Sequence, residues 1–317
     1  MFGASTAAGL TALEPSAHQA IVDGLCYAQA SISPKYFYDS LGSELFEHIT
    51  RLPAYYLTRT ERRIMQDNAA DIDIAIGPER TIIELGAGNC EKAHRLCRLI
   101  RPRCYVAVDI SADFLAGAVA DLRVACPGLD IRAVAADLTG EITLPPDIPN
   151  RRRLVFYPGS SIGNFDPPEA LALLSRMRRL LDDDGALLIG VDLRKSVDIL
   201  EEAYNDETGI TAAFNLNILS HLNQLIGSNF NLRQWRHRAF FNSSQSRIEM
   251  HLEAATATVV QWPCGERRFA EGERIHTENS YKYRLEDFLD LLGRAGFPQA
   301  DVWCDERDWF AVILATP

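Results

Sequence analysis

The chain lacks the cysteine and histidine patterns that mark several common classes of protein. Its seven cysteines form no Cys-x-x-Cys pair, and its seven histidines form no His-x-x-x-His or His-x-x-Glu-His pattern. The usual sequence signals of a disulfide framework, a thiol redox centre and a metal centre are therefore missing. We expect reduced cysteines, as in a cytoplasmic protein, and no bound metal.

Basic residues and long apolar runs are also scarce. The 317 residues include 32 Lys and Arg against 43 Asp and Glu, which gives a formal net charge of −11. An acidic chain without a basic stripe is a poor binder of DNA or RNA, so nucleic acid is not an expected partner. No apolar run approaches the length of a membrane span, and the first basic residue is Lys35. We therefore expect no membrane segment and no secretory signal, and we expect a cytoplasmic monomer.

The sequence does contain a predicted strand that runs through glycines into a helix. Residues 81–85 form a β-branched, apolar run typical of a buried parallel strand, Gly86 and Gly88 follow, and residues 91–99 have helical spacing. Glycine lets the backbone turn sharply and lets a cofactor lie against it. A dinucleotide-binding loop would have a third glycine where this chain has Glu91, so NAD is disfavoured.

Acidic residues accompany three of the predicted strands. Asp109 follows the strand at residues 104–108, about 20 residues after the glycines, where doubly wound folds place an acid that hydrogen-bonds a ribose. Asp137 follows the strand at residues 131–135 and offers another acceptor beside a bound purine. With Glu84 in the first strand, this pattern resembles the class I S-adenosylmethionine (SAM) methyltransferases. Glu84 would add negative charge that suits a sulfonium cofactor.

The later strands complete a predicted sheet. The strand at residues 154–157 leads into a loop at residues 158–165, which contains Gly159 and Asn164. This loop faces the site, because ligands of open α/β sheets sit at the carboxyl ends of the strands. A fifth strand is predicted at residues 186–191. The last helix and two strands of the sheet are predicted at residues 285–295, 300–303 and 309–316.

Two segments stand outside the predicted sheet. Residues 196–282 form an insertion with helical and strand-like stretches, and an insertion beside the active edge is a natural place for substrate specificity. In residues 34–46 aromatic side chains crowd together without strand alternation, so they either line a site or form a small separate core. Thr58-x-x-Glu61 has the pattern of a capping box and predicts that a helix starts there.

Longer segments along nearly the whole chain are similar to one family, the histidine-specific Nα-methyltransferases of ergothioneine biosynthesis. The segments occur in the family's order and at similar separations: KYFYD (35–39), LPAYYLTRTE (52–61), ELGAG (84–88), GSSIGN (159–164), AYND (203–206), GITAAFN (209–215), RIEM (247–250) and TENS (277–280). The departures are modest. Asn89 and Cys90 stand where small hydroxyl residues are common in the family, and residues 281–283 vary the end of the specificity strand.

The resemblance implies an α/β fold with two parts. A Rossmann-like class I SAM methyltransferase sheet would comprise residues 61–195 and 283–317. A second, α+β substrate-binding domain would be formed by the N-terminal segment, residues 1–60, and the insertion, residues 196–282. The implied activity transfers methyl groups from SAM to the α-amino nitrogen of L-histidine, up to three times, and gives Nα-trimethylhistidine (hercynine).

The resemblance also implies roles for individual residues, with no general base among them. The residues implied to surround the substrate carboxylate and α-amino group are Tyr38, Phe46, Tyr55, Gly159, Asn164 and Tyr204. Those implied to recognise the imidazole are Met250, Glu278 and Ser280, of which Glu278 and Ser280 would hydrogen-bond it. On the cofactor side, the resemblance implies Gly86, Lys92, Asp109 and Asp137, and the pattern of the glycine loop adds Glu84 and Gly88.

Three other interpretations stay open. The acceptor of the methyl group could be another amino acid or a small amine. The protein could bind SAM without catalysis, although Asn164, Tyr204 and Glu278 are all present, and a degenerate site would have lost some of them. A nucleic-acid or protein methyltransferase is the third, and the acidic charge argues against it.

Overall fold

A computed structural model describes residues 15–317 of the chain. Within these residues there are ten α-helices and thirteen β-strands. The helices are α1 (Pro15–Cys26), α2 (Ser40–Ile49), α3 (Tyr56–Asp67), α4 (Ala69–Ile76), α5 (Glu91–Ile100), α6 (Ala112–Ala125), α7 (Pro167–Arg179), α8 (Val197–Glu202), α9 (Ile210–Ile226) and α10 (Leu285–Arg294). The strands are β1 (Ala30–Ser31), β2 (Thr81–Leu85), β3 (Cys104–Asp109), β4 (Asp130–Ala135), β5 (Arg153–Tyr157), β6 (Ala186–Asp192), β7 (Trp235–Asn242), β8 (Arg247–Ala254), β9 (Thr258–Trp262), β10 (Gly265–Phe269), β11 (Arg274–Tyr281), β12 (Gln299–Cys304) and β13 (Phe310–Thr316).

A seven-stranded sheet forms the centre of the larger part of the molecule. Its strand order is β12-β13-β6-β5-β2-β3-β4. The strands β2 to β6 are parallel to one another. The strand β13 is antiparallel to both of its neighbours, β6 and β12. The chain continues from β2 to β3 on one side and returns to β5 on the other, so the sheet has a topological switch point at β2. The carboxyl ends of the parallel strands meet at one edge, where a ligand site is expected.

Alternate residues of the central strands face two separate apolar cores. Ile82 and Leu154 pack on one side of the sheet, and Ile83 and Val155 pack on the other. All five residues of β2 are buried, as the continuous apolar run predicts. Each fully buried branched side chain contributes about 1.5–3 kcal/mol. The sheet is therefore well packed on both faces, and it fixes the positions from which the loops at its carboxyl edge begin.

The prediction of the fold class is confirmed, because each predicted strand of this sheet begins and ends within one residue of the observed one. One local prediction is wrong. Helix α3 begins at Tyr56 rather than at the expected capping box, and its N-cap, Tyr55, makes no side-chain capping hydrogen bond. Thr58 and Glu61 lie inside the helix, and the carboxylate of Glu61 has its partners in α5 and in the loop after β5.

A second sheet joins the N-terminal segment to the insertion. Its four strands have the order β1-β11-β8-β7, with β1 parallel to β11 and the other pairs antiparallel. Helix α9 packs against β7 and β8 and buries Phe214 and Leu222. This arrangement suits an α+β substrate domain. The division into residues 1–60, 61–195, 196–282 and 283–317 stays a prediction; its first boundary falls inside α3, and residues 1–14 lie outside the described residues.

None of the helices in residues 15–317 combines the length and the apolar character needed to span a membrane.

Candidate active site

The carboxyl edge of the seven-stranded sheet opens into a cavity of about 520 Å³. The loops after β2 to β5 form one wall, and the N-terminal segment before α3 forms the other. Eleven of the predicted site residues line the cavity: Tyr38, Phe46, Tyr55, Glu84, Gly86, Gly88, Lys92, Asp109, Asp137, Gly159 and Asn164. The other four are buried and do not line the cavity: Tyr204, Met250, Glu278 and Ser280.

The loop after β2 has the backbone conformation that its glycines predict. Gly86 and Gly88 have φ of 70° and 52°, in the left-handed region that favours glycine. The backbone N–H of Gly88 donates to Oδ2 of Asp109 at 2.9 Å, and Oδ1 of Asp109 accepts from the N–H of Ser111 at 3.0 Å. Asp109 therefore ties together the loops that follow β2 and β3. Its carboxylate borders the cavity where a ribose acceptor is expected.

Asp137 connects the loop after β4 to the N-terminal segment. Its Oδ2 accepts a hydrogen bond from the Lys35 ammonium at 2.9 Å, and its Oδ1 accepts from the backbone and hydroxyl of Thr139. Burial alone would raise the pKa of Asp137, but the hydrogen bonds from Thr139 and Lys35 outweigh it and lower the pKa below its ordinary value. Asp137 is thus a charged acceptor at the outer end of the cavity.

Glu84 is a buried carboxyl group beneath the glycine loop. It is 1% exposed, and the Tyr105 hydroxyl donates to its Oε2 at 2.5 Å. Burial raises the pKa of Glu84 to about 8, although the hydrogen bond from Tyr105 and the charge of Lys92 oppose this. The carboxyl is therefore largely protonated at pH 7 until a cation binds beside it. A cation bound beside Glu84 would favour the negative charge that the sequence predicts.

We expect the affinity for SAM to rise with pH, because a bound sulfonium favours the ionised form of Glu84. The pKa of Glu84 is about 8 in the free protein, so below that pH the ligand must displace a proton. The dissociation constant for SAM, measured by calorimetry without an amino acid, should fall about tenfold between pH 6.5 and pH 9. S-adenosylhomocysteine, which lacks the positive charge, is the matched control and should change far less. Equal pH profiles for the two ligands would contradict this role of Glu84.

Glu61 is a site residue that the sequence reasoning missed. Its Oε1 accepts from the backbone N–H of Gly159 at 2.7 Å, and its Oε2 accepts from the Lys92 ammonium at 2.6 Å. Gly190 of β6 lies beside this carboxylate. Any other residue at position 190 would clash with it, because its Cβ would lie 2.1 Å from Oε1 of Glu61. Glu61 thus positions both the loop after β5 and the predicted cofactor residue Lys92. The sequence did not predict this role, because Glu61 was interpreted there as part of a capping box.

Aromatic rings cluster at the wall of the cavity that precedes α3, and rings from other segments pack behind them. Tyr38 and Phe46 meet edge to face at 5.8 Å between ring centroids, and Phe214 of α9 lies 6.0 and 5.9 Å from them. Phe46 also meets Tyr55 at 6.4 Å, and Tyr55 meets Tyr204 at 6.3 Å. Of the two interpretations of the N-terminal aromatic residues, the structure supports both: part of the cluster is core, and part lines the cavity.

A buried charge network lies next to these rings. Asp192, at the end of β6, is fully buried and accepts hydrogen bonds from the Tyr56 hydroxyl at 2.7 and 2.9 Å. Lys195 and Lys282 form ion pairs with its two carboxylate oxygens at 2.6 and 2.7 Å. Burial lowers the pKa of Lys195 to about 8, against the opposing charge of Asp192. One carboxylate therefore compensates two buried lysines.

Lys282 links this network to the predicted substrate residues. Its ammonium donates to the Ser280 hydroxyl at 2.8 Å and to the Tyr204 hydroxyl at 3.2 Å, and Tyr204 donates to Ser280 at 2.7 Å. These bonds fix the ring of Tyr204 against Tyr55. Burial raises the pKa of both tyrosines well above the ordinary value, so their hydroxyls remain protonated.

Glu278 and Met250 face each other across β11 and β8. They are directly paired in the strand register, and both are buried. Burial raises the pKa of Glu278 to about 8, and the charge of Lys282 opposes this. No group in residues 15–317 stabilises the Glu278 carboxyl by a hydrogen bond. It is a buried polar group with unused hydrogen-bonding capacity beside the substrate side of the cavity.

The sheet order, the glycine loop and the acids after β3 and β4 define a class I SAM-dependent methyltransferase. The family model described as histidine-specific, SAM-dependent methyltransferase matches residues 17–317, and the chain belongs to this family. It is therefore an enzyme that uses SAM, and the resemblance noted in the sequence is confirmed.

Individual relatives are similar over most of the chain. The histidine N-alpha-methyltransferase of Mycolicibacterium smegmatis is 39% identical over 298 residues, which cover 92% of each chain. The enzyme of the same name from Mycobacterium tuberculosis is 35% identical over 302 residues, 93% of each chain. Ergothioneine biosynthesis protein 1 of Neurospora crassa is 31% identical over 289 residues, which cover 88% of this chain and 32% of that protein.

Proposed function

We propose that this protein transfers methyl groups from SAM to the α-amino nitrogen of L-histidine, up to three times, and so makes hercynine for ergothioneine biosynthesis. The observation that carries the proposal is the buried Glu278 carboxyl, which has no hydrogen-bond donor among residues 15–317. An unpaired buried polar group costs free energy, so this pocket favours a side chain that can hydrogen-bond it, as imidazole does. The names of the similar enzymes from the two mycobacteria support the same acceptor.

The cofactor side of the cavity fits SAM. Asp109 and Asp137 offer acceptors for the ribose and the purine, Gly86 and Gly88 leave open space beside the loop, and Glu84 can gain a charge near a sulfonium. When bound, SAM supplies an activated methyl carbon. These side chains then orient it, and the roles given to them are part of the proposal.

The substrate side positions the amino group rather than activating it. Asn164 and Tyr55 line the cavity, and Tyr204 stands behind Tyr55, so we assign these three to the α-amino and carboxylate groups. The two tyrosine hydroxyls stay protonated and act as hydrogen-bond donors, not as bases. We assign no general base, because the nearby sulfonium charge itself favours loss of the ammonium proton. Alignment of nitrogen, methyl carbon and sulfur then supplies most of the rate.

The aromatic rings suit the later steps of the reaction. Each methyl group makes the α-nitrogen bulkier and more apolar, and the third leaves a permanent positive charge. Tyr38 and Phe46 line the cavity and can hold such a quaternary ammonium by cation–π attraction, while the buried ring of Phe214 packs behind them. The cluster therefore supports repeated transfer to one nitrogen.

Mass spectrometry of purified protein with SAM and, separately, each of the twenty amino acids tests the proposal. We expect mass gains of one to three methyl groups on histidine alone. Histamine, which keeps the imidazole but lacks the carboxylate, is the matched control and should react poorly. Gains on another amino acid or amine would keep the reaction but overturn the role given to Glu278. No product from any acceptor, with SAM still bound, would favour a binding protein without catalysis.

The monomeric state and the cytoplasmic location expected from the sequence stay predictions, as does the absence of a nucleic-acid partner.

A further inference from the structure

The outer face of the four-stranded sheet carries a cluster of side chains that the proposed reaction does not use. Glu249 and His251 are two residues apart on β8, so they share one face of the sheet. His276 of β11 lies directly opposite His251 in the strand register. One donor atom from each of these three side chains lies within 4.8 Å of the other two. They form a compact set of two imidazoles and one carboxylate.

A β-bulge puts this cluster and the substrate residues on opposite faces of the same strands. The register shifts between His276 and Glu278, so that His276 pairs with His251 while Glu278 pairs with Met250. Residues two apart in a regular strand share a face, but the extra residue of the bulge reverses this. His276 therefore faces outwards and Glu278 faces the substrate side.

The two oxygens of the Glu249 carboxylate have different partners, and Oε2 lies against the His251 ring of the cluster. Its Oε1 accepts hydrogen bonds from Asn242 at 2.9 Å and from the Arg247 guanidinium at 2.9 Å. Its Oε2 lies 2.9 Å from Nε2 of His251, its one hydrogen-bond partner among the described residues. Outer partners of this kind orient a ligating carboxylate in metal sites.

Each of the two histidines has a ring nitrogen that can bind a metal ion. Nε2 of His276 donates to Oδ1 of Asn279 at 2.8 Å, which leaves Nδ1 of His276 as an unprotonated donor atom. Nδ1 of His251 is buried and has no hydrogen-bond partner within residues 15–317. The His251 ring is 6% exposed and stacks on Phe240, with 5.2 Å between centroids and 9° between planes. The His251 nitrogen that faces the Glu249 carboxylate is Nε2, so Nε2 of His251, Nδ1 of His276 and Oε2 of Glu249 are the three atoms that can share one ion.

We propose that Glu249, His251 and His276 bind one divalent transition-metal ion, and that this ion is Zn²⁺. Two imidazole nitrogens and one carboxylate oxygen suit zinc and not magnesium or calcium, which prefer oxygen ligands. Small side-chain rotations bring donors that are this close to the metal–ligand distances of about 2.0–2.2 Å. His276 is half-buried, so water can occupy the fourth position. The ion would cross-link β8 to β11 behind Met250 and Glu278.

Zinc titration of the full chain, freed of any affinity tag and treated with chelator, tests the proposal. Calorimetry should show one high-affinity Zn²⁺ per chain, and the melting temperature should rise on saturation. His276→Gln keeps an amide that can hydrogen-bond Asn279 but removes the imidazole. It should weaken zinc binding by more than about 100-fold, since even outer-shell partners of a metal are worth about 10- to 100-fold.

His48→Ala is the matched control, because His48 is an exposed histidine of α2, outside the cluster. It should bind zinc as the unaltered protein does. Glu249→Gln provides a second variant if His276→Gln folds poorly, and its expected loss of affinity is similar. Absence of stoichiometric zinc binding, or equal binding by His276→Gln and His48→Ala, would overturn the proposal. Because calorimetry and melting need no substrate, these results do not depend on the proposed reaction.

Discussion

The variant Glu278→Ala should bind histidine about 100-fold more weakly than the unaltered protein and bind SAM almost equally well. Glu278 is buried, and its carboxyl has no hydrogen-bond donor in the described part of the chain, so it can form hydrogen bonds with the substrate. Either form of the carboxyl can share a proton with an imidazole nitrogen. Removing it deletes that bond but leaves the cavity wall at Asp109 and Asp137 unchanged. Calorimetric titration with histidine and with SAM measures both affinities.

The same variant should also lose selectivity. A site with an unpaired buried carboxyl rejects apolar amino acids by up to about 10⁴-fold, and an alanine there no longer does so. Glu266→Ala, on the exposed hairpin strand β10, is the matched control and should change neither affinity nor selectivity. Unchanged histidine affinity in Glu278→Ala would refute the role of Glu278. Loss of SAM binding as well would indicate general damage to the fold.

The variant Asp192→Asn should lower the free energy of unfolding by about 3–5 kcal/mol at pH 7. Asp192 is the carboxylate that pairs with both Lys195 and Lys282, whose side chains are only 2% and 0% exposed. Asparagine has nearly the same shape, so the change removes the charge and not the packing. The two ammonium groups would then be buried without a compensating anion, and Tyr204 and Ser280 would lose their support. Urea unfolding measures the loss.

The pH dependence identifies the cause of this loss. Burial already lowers the pKa of Lys195 to about 8, below its value in an unfolded chain, and without Asp192 it falls further. The folded variant then binds fewer protons than the unfolded chain, so its stability rises as the pH increases towards 10. Asp301→Asn, at an exposed position on β12, should lose little stability at any pH. A deficit in Asp192→Asn that stays constant from pH 7 to pH 10 would contradict the electrostatic explanation.

The sheet and most of the cavity could be predicted from the sequence because their signals are local. The buried run before Gly86, the acid after β3 and the loop after β5 each place a residue at a strand end, and parallel topology brings strand ends together. In the insertion the sequence predicted strand-like stretches that became β8 and β11. It did not predict β7 or the β9–β10 hairpin, whose residues lack a strong alternating pattern.

The residues that the sequence failed to predict depend on contacts between distant segments. Glu61 has the spacing of a capping residue, but its partners, Lys92 of α5 and Gly159 of the loop after β5, are distant in the sequence. The pairing of Asp192 with Lys282 likewise joins the end of β6 to the end of β11. The bulge that separates the faces of His276 and Glu278 depends on the register with β8. No local pattern contains such information.

The short strand β1 has a consequence for the order in which the molecule can be built. Ala30 pairs with Ile275, so β1 cannot form its pairing until the ribosome has synthesised the residues of β11. The strands β12 and β13, which complete the other sheet, are synthesised later still. Pairings between such distant residues slow folding and leave apolar surface uncovered in the meantime. The four-stranded sheet therefore cannot be completed before β11 has been synthesised, nor the seven-stranded sheet before β13 has been synthesised.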